Sequence, residues 1–303
     1  VSTVGVVTPF WLDRPPLEAV DIAVAADEAG FGTLWIGEMA TFDAFALATA
    51  VGLRTSRISL RIGPLAAGVR SPVALALGLS TVVATTGRPA SLALGAANPR
   101  IVSGWHGREW APVRRTRETV GDTRALLTGK RVDGFRLPGP LPGTTISVAA
   151  FGPAMTRVAE EVGDEVVLNL VSPGHVTRGR KPRAVWVPAA LDPGPATLRQ
   201  LRGQLAVYLA PPGYGEMFTA LGYGDLVEQA RAGTPRARLA EAVPVELVEA
   251  VGAIGSVDDV VRRVHEYLDA GASHVGLVPA TAEDPAARRL LTTLAPLLTG
   301  DLS

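Results

Sequence analysis

Short β-branched runs alternate along this chain with longer segments whose apolar residues recur every three or four positions. The runs are VGVVT (4–8), TLWIG (33–37), ISLRIG (58–63), SLALG (91–95), TISVAA (145–150), EVVLNL (165–170), RAVWVPA (183–189) and HVGLVP (274–279). They predict strands; the segments between them predict helices. PLEAVDIAVAADEAG (16–30) closes on Gly30 as a cap, and RTRETVGDTRALLTG (115–129) closes on Gly129. ATLRQLRGQLAVYLA (196–210) sets Leu198, Leu201, Leu205 and Tyr208 on one face. SVDDVVRRVHEYLDAG (256–271) opens on Ser256 with acids in its first turn and closes on Gly271. Strand–helix units repeated eight times predict a parallel sheet with right-handed crossovers. Eight is the number that closes a (β/α)8 TIM barrel, read here as one domain over 1–303. The rival is a doubly wound sheet, but no G-x-G-x-x-G or G-x-x-x-x-G-K-[ST] loop is present.

Three departures from regularity shape the expectation. From Leu205 to Ser273 no strand is evident, so PPGYGEMFTALGYGDLVEQARAG (211–233) reads as a helical insertion before the last strand. Only thirteen residues, rich in Gly, Pro and Arg, separate Leu170 from Ala184, a shortened segment after the sixth strand. The helices expected at 43–53 and 72–87 show water almost no charge, and predict a homodimer interface.

Composition narrows the class. The chain has 303 residues, 47% hydrophobic and 19% charged, with zero formal net charge. A large core is expected, and no overall charge favours nucleic acid or a membrane surface. The absence of cysteine excludes disulfides and thiolate chemistry. The first residues do not resemble a signal peptide, and the uncharged stretches are broken by Pro, Gly, Ser or Thr. A cytoplasmic protein is expected. Only two of the 29 basic residues are lysine (Lys130 and Lys181), a bias associated with high-GC bacterial genomes.

Chemistry is sought at the C-terminal ends of the strands, where barrels place active sites. From Ile58 to Arg117 there are eight arginines and one acid, Glu109, which predicts a positive mouth for an anionic ligand; the alternative is that arginines on helices simply face water. VAAFGPAM (148–155) ends a strand in small residues and opens a helix with Gly152 and Pro153. That is either an ordinary turn or a helix N-terminus bared for phosphate. Gly63-Pro64 predicts a bulge with a cis peptide, or a plain strand terminator. Of four histidines, His265 and His274 read as structural and His175 as exposed. His106, between Trp105 and Trp110, is the candidate for proton transfer. No histidine spacing suggests a metal site.

AGFGTLWIGE (29–38), RIGPLAAGVRSP (61–72), LALGAANPRIVSGWHGREW (92–110), RTRETV (115–120), VAAFGPAMTRVAEEVGDEVVLN (148–169), VYLAPPGYGEMF (207–218) and GASHVGLVPATAEDP (271–285), in that order, resemble the luciferase-like flavin and deazaflavin oxidoreductases. The likeness spans nearly the whole chain and is nearest to the coenzyme F420-dependent branch common in actinobacteria. It implies that Gly63 and Pro64 back the deazaflavin ring. It implies that Gly95, Ala96, Ala97 and Asn98 form a further cofactor wall. It implies that Ala149, Ala150, Phe151, Gly152 and Pro153 grip phosphate and ribityl chain through backbone. Glu38 matches an acid at the end of the second strand, a catalytic candidate with His106. In the sugar-phosphate dehydrogenase branch a histidine follows that acid and a glutamate follows the fourth strand; here Met39 and Asn98 stand there, which argues against sugar oxidation.

The function expected is a reductase passing a hydride from reduced F420 to an activated C=C or C=N bond of a small molecule or peptide natural product. Phe10, Trp11, Met39, Trp105, Trp110 and Tyr214 would line its substrate pocket. The alternatives are an FMN-dependent monooxygenase of the same family and a flavin- or deazaflavin-binding protein without turnover.

Overall fold

A computed structural model describes residues 3–11, 13–15, 17–38, 42–176 and 178–300. Eight parallel strands follow the predicted order: β1 (Val4–Val7), β2 (Thr33–Ile36), β3 (Ser59–Ala66), β4 (Ala90–Gly95), β5 (Ile146–Ala149), β6 (Glu165–Asn169), β7 (Arg183–Leu191) and β8 (His274–Pro279). Between and after them run α1 (Glu18–Ala29), α2 (Ala44–Gly52), α3 (Pro72–Thr86), α4 (Pro112–Leu127), α5 (Pro153–Val162), α6 (Pro195–Tyr208), α7 (Tyr214–Ala220), α8 (Gly224–Arg231), α9 (Arg236–Ala242), α10 (Val245–Val251), α11 (Val257–Asp269) and α12 (Arg288–Leu298).

The chain divides into two compact units. One comprises residues 32–167 and 179–182. Its sheet runs β2–β3–β4–β5–β6, with Thr33 opposite Ser59, Leu60 opposite Ala90, Leu92 opposite Ile146 and Ser147 opposite Glu165. Strand side chains such as Leu34, Trp35, Ile36, Leu92, Leu94, Ile146 and Val148 are fully buried, as parallel strands covered by helices require. Local signals set the helices. The Ser71 hydroxyl accepts from the Ala74 N–H, Pro72 fills the first turn of α3, and Gly87 ends it in the left-handed region.

The other unit comprises residues 1–31, 168–178 and 183–303. Here β7 pairs with β8 and β8 with β1, His274 lying opposite Ala184 and Val4 opposite Val275. α1 ends at Gly30, whose N–H reaches the Ala26 and Asp27 carbonyls from the left-handed region, and Ser256 and Asp259 form a reciprocal cap on α11.

Some structure was not foreseen. The insertion between α6 and α11 holds a short strand, Ala253–Gly255, parallel to the end of β7; three residues are too few to show a period. Arg100–Trp105, expected as loop, is a π-helix, and Arg131–Val132 pairs with Phe135–Arg136 as a small hairpin. After β6 the described residues hold one 3-10 turn, Pro173–His175, and no longer helix before β7. Among the described residues no helix is long and apolar enough to cross a membrane.

Candidate active site

In the unit holding β2 to β6, three neighbouring strands end in residues with little or no side chain. The β3 ladder slips between Ile62 and Leu65, and the Gly63–Pro64 bond between them is cis, the bulge expected from the sequence. Gly63 has φ +124°, and a Cβ there would lie 2.1 Å from the Ala93 carbonyl oxygen. A Cβ on Gly95 would lie 3.2 Å from the Ala149 Cβ and 3.5 Å from the Pro64 Cβ. Pro64, Gly95 and Ala149 therefore meet side by side and form a floor of backbone and small atoms, which suits a flat ring.

Beyond β5 the chain passes through buried Ala150 and half-buried Phe151 to Gly152. Gly152 has φ +80° and open space where a Cβ would point. Pro153 opens α5, and the first bond of the helix runs from the Thr156 N–H to the Gly152 carbonyl. No side chain caps the turn, so the N–H groups of Ala154 and Met155 lie beyond the reach of intrahelical acceptors.

After β4, Ala96 is half-buried, Ala97 sits at φ +53°, and the Asn98 Oδ1 accepts from the Ile101 N–H at 3.0 Å to start the π-helix. The Arg100 guanidinium lies 6.0 Å from the Trp105 ring. Trp105, His106 and Trp110 all stand exposed, the two indoles at 51% and 42%.

Glu38 is bound into an ion pair. Its two oxygens accept from Arg70 at 2.6 and 2.8 Å, and one also accepts from the Ala44 N–H at 3.0 Å. Arg70 reaches Asp43 as well, the residue whose carboxylate caps α2 through the Phe45 and Ala46 N–H groups. Burial raises the Asp43 pKa, but the Ala46 N–H, Arg70 and Phe45 N–H together hold it below the usual carboxylate range. Met39 lies outside the described residues.

The arginine excess is much smaller in space than along the chain. Arg61 pairs with Glu165, Arg70 with Glu38 and Asp43, Arg114 and Arg115 with Glu109 and Glu118, and Arg117 with Glu161. Among the described residues Arg88, Arg100 and Arg108 have no carboxylate partner. Glu118 follows Arg117 directly, and Glu161 and Glu165, distant in sequence, lie near the arginines in space.

In the unit holding β1, β7 and β8, side chains rather than their absence shape the strand ends. The Trp11 indole donates to the Pro279 carbonyl at 2.9 Å, and Phe10 beside it is half-buried. The Gln200 carbonyl accepts from the Thr281 and Ala282 N–H groups, and its amide nitrogen donates to Asp13. Glu18 is buried and accepts from Arg14, the Thr281 hydroxyl and the Ala286 N–H. Tyr214 is half-buried and packs edge-on against Tyr208, ring centroids 5.0 Å apart. His175, expected exposed, is half-buried, its Nδ1 2.7 Å from the Ser172 hydroxyl; the turn Pro173–His175 folds it back. Sequence reasoning missed Tyr208, which it read as part of an apolar helix face.

Residues 4–198 match the family described as luciferase-like monooxygenase. The chain belongs to that family. A Mycobacterium tuberculosis protein named as a coenzyme F420-dependent oxidoreductase is 24% identical over 92% of this chain and 95% of its own. An F420-dependent glucose-6-phosphate dehydrogenase of Nocardia farcinica is 28% identical over 86% and 87%. The coenzyme F420-dependent tetrahydromethanopterin reductase of Methanopyrus kandleri superposes with a TM-score of 0.77 at 17% identity, covering 98% of this chain and 99% of its own. That likeness establishes the fold as the α/β TIM barrel expected from the strand–helix alternation.

Proposed function

We propose that the chain is a coenzyme F420-dependent oxidoreductase, working as a reductase on an activated C=C or C=N bond of a small molecule or peptide natural product. The floor of Pro64, Gly95 and Ala149 is the observation that carries this reading. A side chain at Gly95 would stand where a planar ring must lie. The relatives named for F420 support the cofactor assignment. Bound F420 would supply a hydride at C5. The chain's own residues would do the rest: the bulge at Gly63–Pro64 and the β4 and β5 ends back the ring, and the Ala154 and Met155 N–H groups face a phosphate. Arg100 and Arg108 remain to meet a glutamate tail. Trp105, Trp110, Phe10, Trp11 and Tyr214 remain the proposed substrate contacts, with His106 the proposed proton donor.

The extensive pairing of the arginines favours a second reading, an FMN-dependent monooxygenase, because FMN has no glutamate tail to use a positive surface. Titration of the protein with F420 and with FMN, followed by tryptophan quenching at low and high salt, separates the two. F420 binding that weakens with salt, without FMN binding, supports the reductase. FMN binding alone replaces it with the monooxygenase, and binding of neither removes both. The uncharged α2 and α3, with Leu53 64% and Leu77 42% exposed, support a homodimer through this face. Sedimentation at a monomer mass would refute that part.

A further inference from the structure

The unit holding β2 to β6 has a second end, opposite the bare floor, where the chain enters its strands. The connections there are tied edge to edge by backbone bonds. The Ser59 N–H donates to the Gly32 carbonyl, Leu60 to Pro89, Leu92 to Thr145, Asp164 to Ile146 and Val166 to Pro182, at 2.9 to 3.2 Å. Four connections carry cations: Arg54 in 53–58, Arg88 in 87–89, Lys130, Arg131 and Arg136 in 128–145, and Arg180 in 179–182. Arg88 is half-buried and the other five are exposed. None of the six has a carboxylate partner among the described residues. The same four connections hold one acid, Asp133. Asp164, between them, is bound to Arg124 at 2.8 Å. Helices α2, α3, α4 and α5 end here, and helix C-termini attract cations. Four helix ends account for about two unit charges, fewer than the cations present.

We propose that this end of the unit docks electrostatically on the anionic surface of a lipid bilayer, and that the floor at the other end of the same strands stays open. The inference does not depend on which cofactor the floor holds. The cations are spread over four connections along one edge, which suits an extended charged surface more than a single phosphate or carboxylate. A protein partner would ask for an apolar centre, and Leu53 is the one large apolar side chain that these connections expose. Duplex nucleic acid would ask for an element that enters a groove, and the ribbon here, Arg131–Val132 with Phe135–Arg136, has two residues a strand. Single strands would ask for stacking rings, and Phe135, the one aromatic on these connections, is half-buried. A lipid surface asks only for accumulated charge within reach of its headgroups. The zero net charge of the whole chain does not oppose this, because charges farther than a Debye length are screened from the surface.

The test is sedimentation of the protein with vesicles of phosphatidylcholine alone and of phosphatidylcholine mixed with phosphatidylglycerol, at low and high salt. Binding to a double-stranded DNA oligonucleotide is measured alongside. Partition onto the mixed vesicles at low salt, lost at high salt and absent with phosphatidylcholine alone, is the expected result. Arg54→Gln, Arg131→Gln and Arg136→Gln each remove one charge from an exposed position and should each weaken partition about fivefold. Arg108→Gln removes the same charge at the opposite end of the unit and should partition as the wild type does. Arg54 lies outside the hairpin, so its variant decides if the hairpin variants fail to fold. A wild type that stays in solution beside mixed vesicles at low salt, or that binds phosphatidylcholine alone equally well, overturns the proposal. So do edge variants that partition like the wild type, or an Arg108→Gln variant that loses as much as they do. Tighter binding to the oligonucleotide than to the mixed vesicles at the same salt assigns the edge to nucleic acid and overturns the lipid reading.

Discussion

The two units finish their strands in opposite ways. Around β3, β4 and β5 the surface is made by leaving side chains out or keeping them small: Gly63, Gly95 and Gly152 have none, and Pro64 and Ala149 bring only small apolar ones. Around β1, β7 and β8 it is made by fixing side chains in place. Gln200 bridges Asp13 to the 281–282 backbone, and Glu18 gathers Arg14, Thr281 and Ala286. The first design suits a ligand recognised by its shape and by backbone N–H groups. The second suits precise placement of a few polar atoms. Four substitutions test the contrast.

The largest effect belongs to the bare floor. Gly63→Ala puts a Cβ 2.1 Å from a backbone oxygen, at φ +124°. Backbone atoms cannot rotate away as a side chain can, so the loss should be about 3 kcal/mol, a fall in Tm of roughly 5–10 °C. A variant melting like the wild type would show that the bulge tolerates a side chain, and the floor would no longer be a backbone construction.

An intermediate effect belongs to the pinned network. Burial raises the Glu18 pKa, but bonds from Arg14, the Ala286 N–H and Thr281 outweigh that and hold it below the usual carboxylate range. A lowered folded pKa gives stability that is present above the unfolded value, near pH 4.3, and lost as pH falls through the folded one. Glu18→Gln should cost about 2 kcal/mol at pH 7 and flatten the fall of Tm between pH 5 and 3. An unchanged acid limb in the variant would mean that the carboxylate is not what holds the 281–286 loop.

The contrast also explains what the sequence made legible. Absent side chains are visible in one dimension: GP, GAAN and AAFGP stand out at strand ends, and the strands themselves follow from β-branched runs. Pinned side chains are not visible, because their partners lie far apart. Thr281 and Glu18 are 263 positions apart, Gln200 and Asp13 187, and Arg61 and Glu165 104. Only the fold brings them together, so the local arginine count overstated the charge and Tyr208 passed for core. Ala253–Gly255 and the π-helix escaped for another reason: neither is long enough to show a period.

The smallest effect tests what remains of the charge argument. Arg100 and Arg108 have no carboxylate partner among the described residues, and both flank the exposed Trp105 and His106. Arg100 is near enough to the Trp105 ring to share its negative face. If they serve an anionic tail, Arg100→Gln and Arg108→Gln should each weaken F420 binding two- to fivefold at low salt, and the difference should vanish at high salt, because exposed charges act through a screened field. FMN binding should not change in either variant. Affinity unaltered at low salt would leave the 100–110 segment with its aromatic surface as its only contribution. Recognition of the cofactor would then rest on the bare floor and the α5 N-terminus, with no part played by charge.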